Sequence, residues 1–197
     1  MFSKNTMRII GFLLKRPAGR YNVNQLSKEL GISVGSAHKI VKALSKGKIL
    51  KSENLGNAIF YALNLENKES RKICEIFLIE DKNKELAKNQ IAKVYSTEIE
   101  NFPAKALVLF GSILTKKEKA ADVDALFIIE NRKKVEKVTN FCLEASKTKT
   151  KPIIPLIMTK GDLKIKLKEK NPVVMEIIKT GIVLSGEGLI VEVLSDV

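Results

Sequence analysis

Two carboxylates, Asp122 and Asp124, stand at alternate positions at the head of the apolar run Ala125-Leu126-Phe127-Ile128-Ile129. An earlier apolar run, Leu107-Val108-Leu109-Phe110, ends in Gly111-Ser112, and nine residues (113–121) separate that pair from Asp122. Side chains alternate across a strand, so residues i and i+2 share a face. Asp122 and Asp124 are therefore expected to point the same way, close enough to share one divalent cation. Two hard carboxylates on a strand edge, beside a Gly-Ser turn with free backbone N–H groups, make a site for a metal-bound triphosphate.

This stretch resembles the signature of the nucleotidyltransferase superfamily that includes DNA polymerase β, over about residues 101–184. It is most similar to the small, minimal members of that superfamily. The resemblance implies that Gly111 and Ser112 hold the triphosphate and that Asp122 and Asp124 are the catalytic acids and the ligands of Mg²⁺ or Mn²⁺. Glycine lets the backbone approach the phosphates. Ser112 is expected to add a hydroxyl and an N–H at a helix start, where the dipole favours anions. The gap is one residue shorter than the common form. Where it often carries Arg-Gly, it reads Ile113-Leu114-Thr115-Lys116-Lys117-Glu118-Lys119. Lys116 and Lys117 are the candidates to meet phosphate there, as point charges without arginine's bidentate geometry. The family usually has a further acid on a later strand, serving the attacking hydroxyl. The matching strand, Lys151-Pro152-Ile153-Ile154-Pro155-Leu156-Ile157-Met158, has none. Glu130 and Asp162 are the nearest alternatives. The ending Asn171-Pro172 with Gly181-Ile182-Val183-Leu184-Ser185-Gly186 also resembles the close of minimal nucleotidyltransferase domains.

These elements sit in a chain of 197 residues, 45% apolar, long enough for one large or two small domains. No run of about 18 apolar residues is present, so no membrane partner is expected. The start lacks a signal peptide's apolar region, which points to the cytoplasm. Cys74 and Cys142 lie in helix-like segments and read as buried thiols. His38 is the only histidine, which leaves no zinc cluster and no histidine-based triad.

The net charge of +13 is uneven. Residues 1–65 hold 11 Lys/Arg and 2 Asp/Glu, or +9; residues 66–100 carry −1 and residues 101–197 carry +5. A basic first third points to a polyanion such as nucleic acid.

Residues 5–65 read as three helices and a hairpin. The first runs over 5–15 with Met7, Ile10 and Leu14 as its stripe. Asn22 with Gln25 forms a capping box for the second, which carries Val23, Leu26 and Leu30. After Gly31-Ile32, Ser33 caps the third, expected to bury Val34, Ala37, Ile40, Val41 and Leu44. The hairpin turns at Asn54-Leu55-Gly56-Asn57. This order, and the phrase Gln25-Leu26-Ser27-Lys28-Glu29-Leu30-Gly31-Ile32-Ser33, resembles a winged helix-turn-helix. The resemblance implies double-stranded DNA as partner. Ser36 and His38 then face base edges and Lys39 and Lys42 face phosphates, with Lys51, Asn54 and Asn57 on the wing. Winged helices also serve as protein-interaction modules.

Three regions follow: a winged helix-turn-helix at 1–65, a helical connector at 66–100 broken near Asp81-Lys82-Asn83, and a nucleotidyltransferase-like domain at 101–197. The fold class is α/β (α+β), with a mixed sheet and flanking helices in the last region. The connector's apolar stripe (Ile73, Phe77, Leu86, Ile91, Val94, Tyr95, Ile99) suits packing on both domains and on a second subunit of a homodimer. Two functions stay open. One is a DNA-binding protein that binds Mg-NTP and transfers NMP to a hydroxyl acceptor, such as a partner protein. The other is a transcriptional regulator whose nucleotidyltransferase domain is degenerate and serves nucleotide sensing or dimerisation.

Overall fold

The computed structural model describes residues 2–196, which form two compact units meeting within one helix, at Phe77/Leu78. In the first unit, α1 (Lys4–Leu14) starts at Ser3, whose hydroxyl accepts the Thr6 N–H. It buries Ile9, Ile10, Leu13 and Leu14. α2 (Val23–Leu30) has the full capping box between Asn22 and Gln25 and ends on left-handed Gly31. α3 (Val34–Lys46) is capped by Ser33 and turns Ala37, Val41 and Leu44 inward. β1 (Leu50–Leu55) and β2 (Ala58–Leu63) pair antiparallel through a two-residue turn, Gly56-Asn57. Only Gly56 has positive φ there, at 58°, as a type II′ turn requires. The turn thus lies one residue later than expected, and Asn54 is in β1, opposite Ile59. Tyr21 adds an isolated bridge to Tyr61. Three helices followed by this hairpin constitute a winged helix-turn-helix arrangement.

α4 (Lys68–Ala87) is continuous through Asp81-Lys82-Asn83, contrary to expectation. The break falls at Lys88-Asn89, because Asn89 is the better terminator. Its side-chain oxygen caps α5 (Gln90–Glu100) at the Ala92 N–H, and its amide donates to the Ile113 carbonyl at 2.9 Å. α5 belongs to the core of the second unit through Ala92, Tyr95 and Ile99, while Val94 is exposed rather than packed.

The second unit is built on a four-stranded sheet in the order β5-β4-β3-β6, from β3 (Ala106–Phe110), β4 (Val123–Ile129), β5 (Ile153–Thr159) and β6 (Ile182–Ser185). β3 runs antiparallel to β4 and β6; β4 and β5 are parallel, joined by α7 (Val135–Lys147). Alternation sorts the side chains. Leu107, Leu109, Val123, Ala125, Phe127 and Ile129 face α5 and α7. Ala106, Val108, Leu126 and Ile128 are buried on the other face, toward α8 (Lys160–Lys168), α9 (Pro172–Thr180) and α10 (Glu187–Leu194). α10 was not apparent from its β-branched, apolar sequence. It follows Gly186, whose φ of 79° turns the chain into it, and buries Ile190, Val191, Val193 and Leu194.

β5 is an edge strand, and its edge is blunted. The Val123 N–H donates to the Pro152 carbonyl, so residues 153, 155, 157 and 159 aim their backbone groups outward. The Ile153 N–H is taken by Ser146 Oγ at 2.9 Å and the Thr159 N–H by Asp162 at 2.9 Å. Pro155 has no N–H to offer. Such an edge resists addition of a further strand.

Among the described residues, no helix is long and apolar enough to cross a membrane. Cys74 and Cys142 are free and buried, as read from the sequence. Burial pushes their thiols up, to about 12 for Cys74, with Glu75 adding to it, and about 11 for Cys142. Neither is a thiolate nucleophile at neutral pH.

Candidate functional site

The strand ends bring Asp124 to the Gly-Ser turn. Phe110, the last residue of β3, lies opposite Asp124 in the antiparallel ladder. Gly111 follows with φ 80°, and a Cβ there would collide with the Asp124 carboxylate. Only glycine permits this backbone at this approach. Asp122 and Asp124 are half-buried. Burial first, and then the charge of Asp122, raise the Asp124 carboxyl above its ordinary value. Asp122 precedes β4, in a bend, and its charge still reaches Asp124; a divalent cation would relieve repulsion between two such like charges.

Ser112 is followed by α6 (Ile113–Lys116), a single turn. A helix this short has little macrodipole, so the anion attraction expected from it is not available. What remains is local. The first intrahelical N–H is that of Leu114, bonded to Gly111, which leaves the Ser112 and Ile113 N–H groups ahead of the ladder.

The lysines after the turn are exposed. Lys117 has φ 51° and ψ −120°, a region that suits glycine. Lysine is strained there, where glycine would be at ease. The Lys117 ammonium donates to the Lys88 carbonyl at 3.2 Å, so it must leave that bond to meet a phosphate. Lys151 pins the following loop by donating to the Glu118 carbonyl at 2.8 Å and to that of Ala120.

Neither alternative third acid can reach the pair. Glu130 lies past the far end of β4, about 20 Å from Asp124 along the strand, where Lys134 pairs with it at 3.3 Å. Because β5 is parallel to β4, Asp162 lies beyond that same far end. There it caps α8 and meets Arg132 at 3.0 Å. The register places Ile154 beside Asp124 on the same face, 46% exposed. No group of three or more His, Cys, Asp or Glu side chains able to hold a metal occurs among the described residues.

A cavity of about 560 Å³ adjoins the turn, lined by Phe110, Gly111, Ser112 and Leu114 on one wall and by Val173 and Glu176 of α9 on the other. The sequence reading had no sign of it, because α9 reaches the turn only through the sheet.

In the first unit, the outward line of α3 is Gly35, Lys39, Lys42 and Lys46, spaced at i, i+4, i+7 and i+11. Lys46 was missed. Ser36 and His38 are two residues apart, about 160° around the helix, so they fall on opposite flanks rather than one reading face. Ser36 is half-buried and His38 exposed. Val34, expected in the core, is 51% exposed at the first turn, and Ile40 is only half-buried. On the wing, Lys51, Asn54 and Asn57 are all exposed. Lys51 and Asn54 lie on opposite faces of β1, and Glu53 pairs with Arg20.

No family model matches this chain, and no curated protein matches it. Among solved structures it is similar to the adhesin competence repressor AdcR of Streptococcus pyogenes, at 17% identity over 51% of this chain and 68% of that one, with a TM-score of 0.37. A mutant of Lactococcus lactis ZitR is similar at 11% identity over 74% of each chain, with a TM-score of 0.35. Likeness at these scores does not define a shared fold, and the two units above stand on their own geometry.

Proposed function

We propose that this protein is a cytoplasmic DNA-binding regulator whose second unit holds a metal-bound nucleoside triphosphate, with nucleotidyl transfer weak or lost. The observation that carries this reading is Ile154. It occupies the position beside Asp124 on the neighbouring strand, so that strand brings no acid to the pair to take a proton from an attacking hydroxyl. What supports nucleotide binding is the close approach of Gly111 to Asp124, with Asp122 near enough to raise that carboxyl. Mg²⁺ or Mn²⁺ is the cation that two carboxylates and phosphate oxygens suit. General-base assistance is typically worth about 10²–10⁴ in rate, so its loss slows transfer and spares binding.

In the first unit, the lysine line of α3 meets DNA phosphates and the exposed first turn meets base edges. Val34 offers apolar contact to a thymine methyl there. A homodimer would present two such helices to half-sites about 34 Å apart. The second reading is NMP transfer to a hydroxyl of a partner protein, a nucleic-acid end or a small molecule, and the acid pair itself favours it.

Calorimetry with Mg-NTP, together with labelling from NTP carrying a radioactive α-phosphate, separates these readings. The proposal expects NTP binding that Asp122→Ala with Asp124→Ala abolishes, and at most slow labelling, more visible with Mn²⁺. Equal NTP affinity in variant and parent would overturn the site. Rapid stoichiometric labelling of an acceptor would establish the enzyme reading instead.

A further inference from the structure

The cavity beside Gly111-Ser112 is more apolar than a phosphate needs. Phe110, Leu114 and Val173 supply its body, and the polar residues that line it include Glu176, whose side chain is 59% exposed, and Thr115. Gly111 and Ser112 are themselves part of its lining, so a triphosphate held at the turn has this space within reach of its nucleoside. A volume of about 560 Å³ lies in the range of small-ligand sites. Glu176 is an acceptor with two oxygens, one of which lies 3.4 Å from the Lys179 ammonium.

Base chemistry then discriminates. Guanine alone presents two adjacent donors, its ring N1–H and its exocyclic amine, to a carboxylate. Adenine and cytosine each place a ring acceptor beside their amine, which repels a second carboxylate oxygen. Uracil has one N–H between two carbonyls. We propose that the cavity between α6 and α9 is a guanine-selective nucleoside pocket, with Glu176 as its specificity determinant. This rests on the nucleotide reading above and deepens it.

The test is calorimetry of the full chain with Mg²⁺ and, in turn, GTP, ATP, CTP, UTP and inorganic tripolyphosphate, for the parent and for Glu176→Gln. A bidentate pair discriminates by about 1–3 kcal/mol, so GTP is expected to bind about 5- to 150-fold tighter than ATP. A glutamine amide offers one donor and one acceptor, the complement of adenine's edge. Glu176→Gln is therefore expected to lose the GTP preference and move toward ATP, while tripolyphosphate, which lacks a base, binds as to the parent. Equal affinity for the four nucleotides in the parent would overturn the pocket. So would an unchanged GTP preference in the variant, or a loss of tripolyphosphate affinity in step with GTP. If the four nucleotides bind equally but still require Asp122 and Asp124, the pocket falls and the nucleotide site stands. If neither nucleotides nor tripolyphosphate bind, both fall together.

Discussion

At the scale of the residue, Asp124 is the group that costs the fold something. It is half-buried, beside a like charge, and its carboxyl is raised by burial and by Asp122. A group so placed disfavours the folded state at neutral pH, and a site that binds ligand is a common reason for tolerating it. Asp124→Asn keeps the shape and removes the repulsion. It is expected to raise the metal-free melting temperature while abolishing Mg-NTP binding, which thermal unfolding and calorimetry on the same sample would read. A melting temperature lowered by the substitution would show that the pair is not under repulsion. Gly111 is the complementary case, since any side chain there meets Asp124.

At the scale of the element, the start of α8 joins strand, helix and loop. Thr159 caps the helix, Asp162 returns bonds to the Thr159 N–H and hydroxyl, and Arg132 meets Asp162. The backbone bond of Thr159 first, then its hydroxyl and Arg132, hold Asp162 at about 2, below its ordinary 3.8. A depressed carboxyl contributes stability that is present above its unfolded value and is lost as pH falls through its folded one. Acid unfolding is therefore expected to draw on Asp162 between about pH 4 and pH 2. In an acid titration followed by circular dichroism, Asp162→Asn should flatten that limb. Thr159→Ala should cost about 1 kcal/mol near neutral pH. An unchanged acid limb in Asp162→Asn would remove the cap from the account.

At the scale of the whole molecule, the charge is concentrated in the first unit, +9 of +13 within residues 1–65. Each lysine–phosphate contact adds about −0.9 to the slope of log K against log salt on duplex DNA. Lys39→Ala, Lys42→Ala and Lys46→Ala are each expected to weaken duplex binding and flatten that slope by about one unit or less. Fluorescence anisotropy over a salt series measures both. A chain starting at Leu78 should lose duplex binding, and parental affinity in that truncation would contradict the placement.

Much of this could be read from the chain because it is set by neighbours in sequence. The Asn22/Gln25 capping box and the Ser33 cap depend on a period of 3.6 and on local hydrogen bonds, and the sorting of β3 and β4 side chains between two faces depends on a period of 2. What needed the tertiary structure was set by partners far along the chain. Asn89 ends one helix and starts the next because its amide finds the Ile113 carbonyl. The parallel pairing of β4 with β5 carries Asp162 away from the acid pair and leaves Ile154 beside Asp124. The cavity by Gly111-Ser112 exists only because α9 returns to it, some sixty residues later in the chain. Side-chain periodicity tells which face a residue takes, but strand order and direction decide what that face meets.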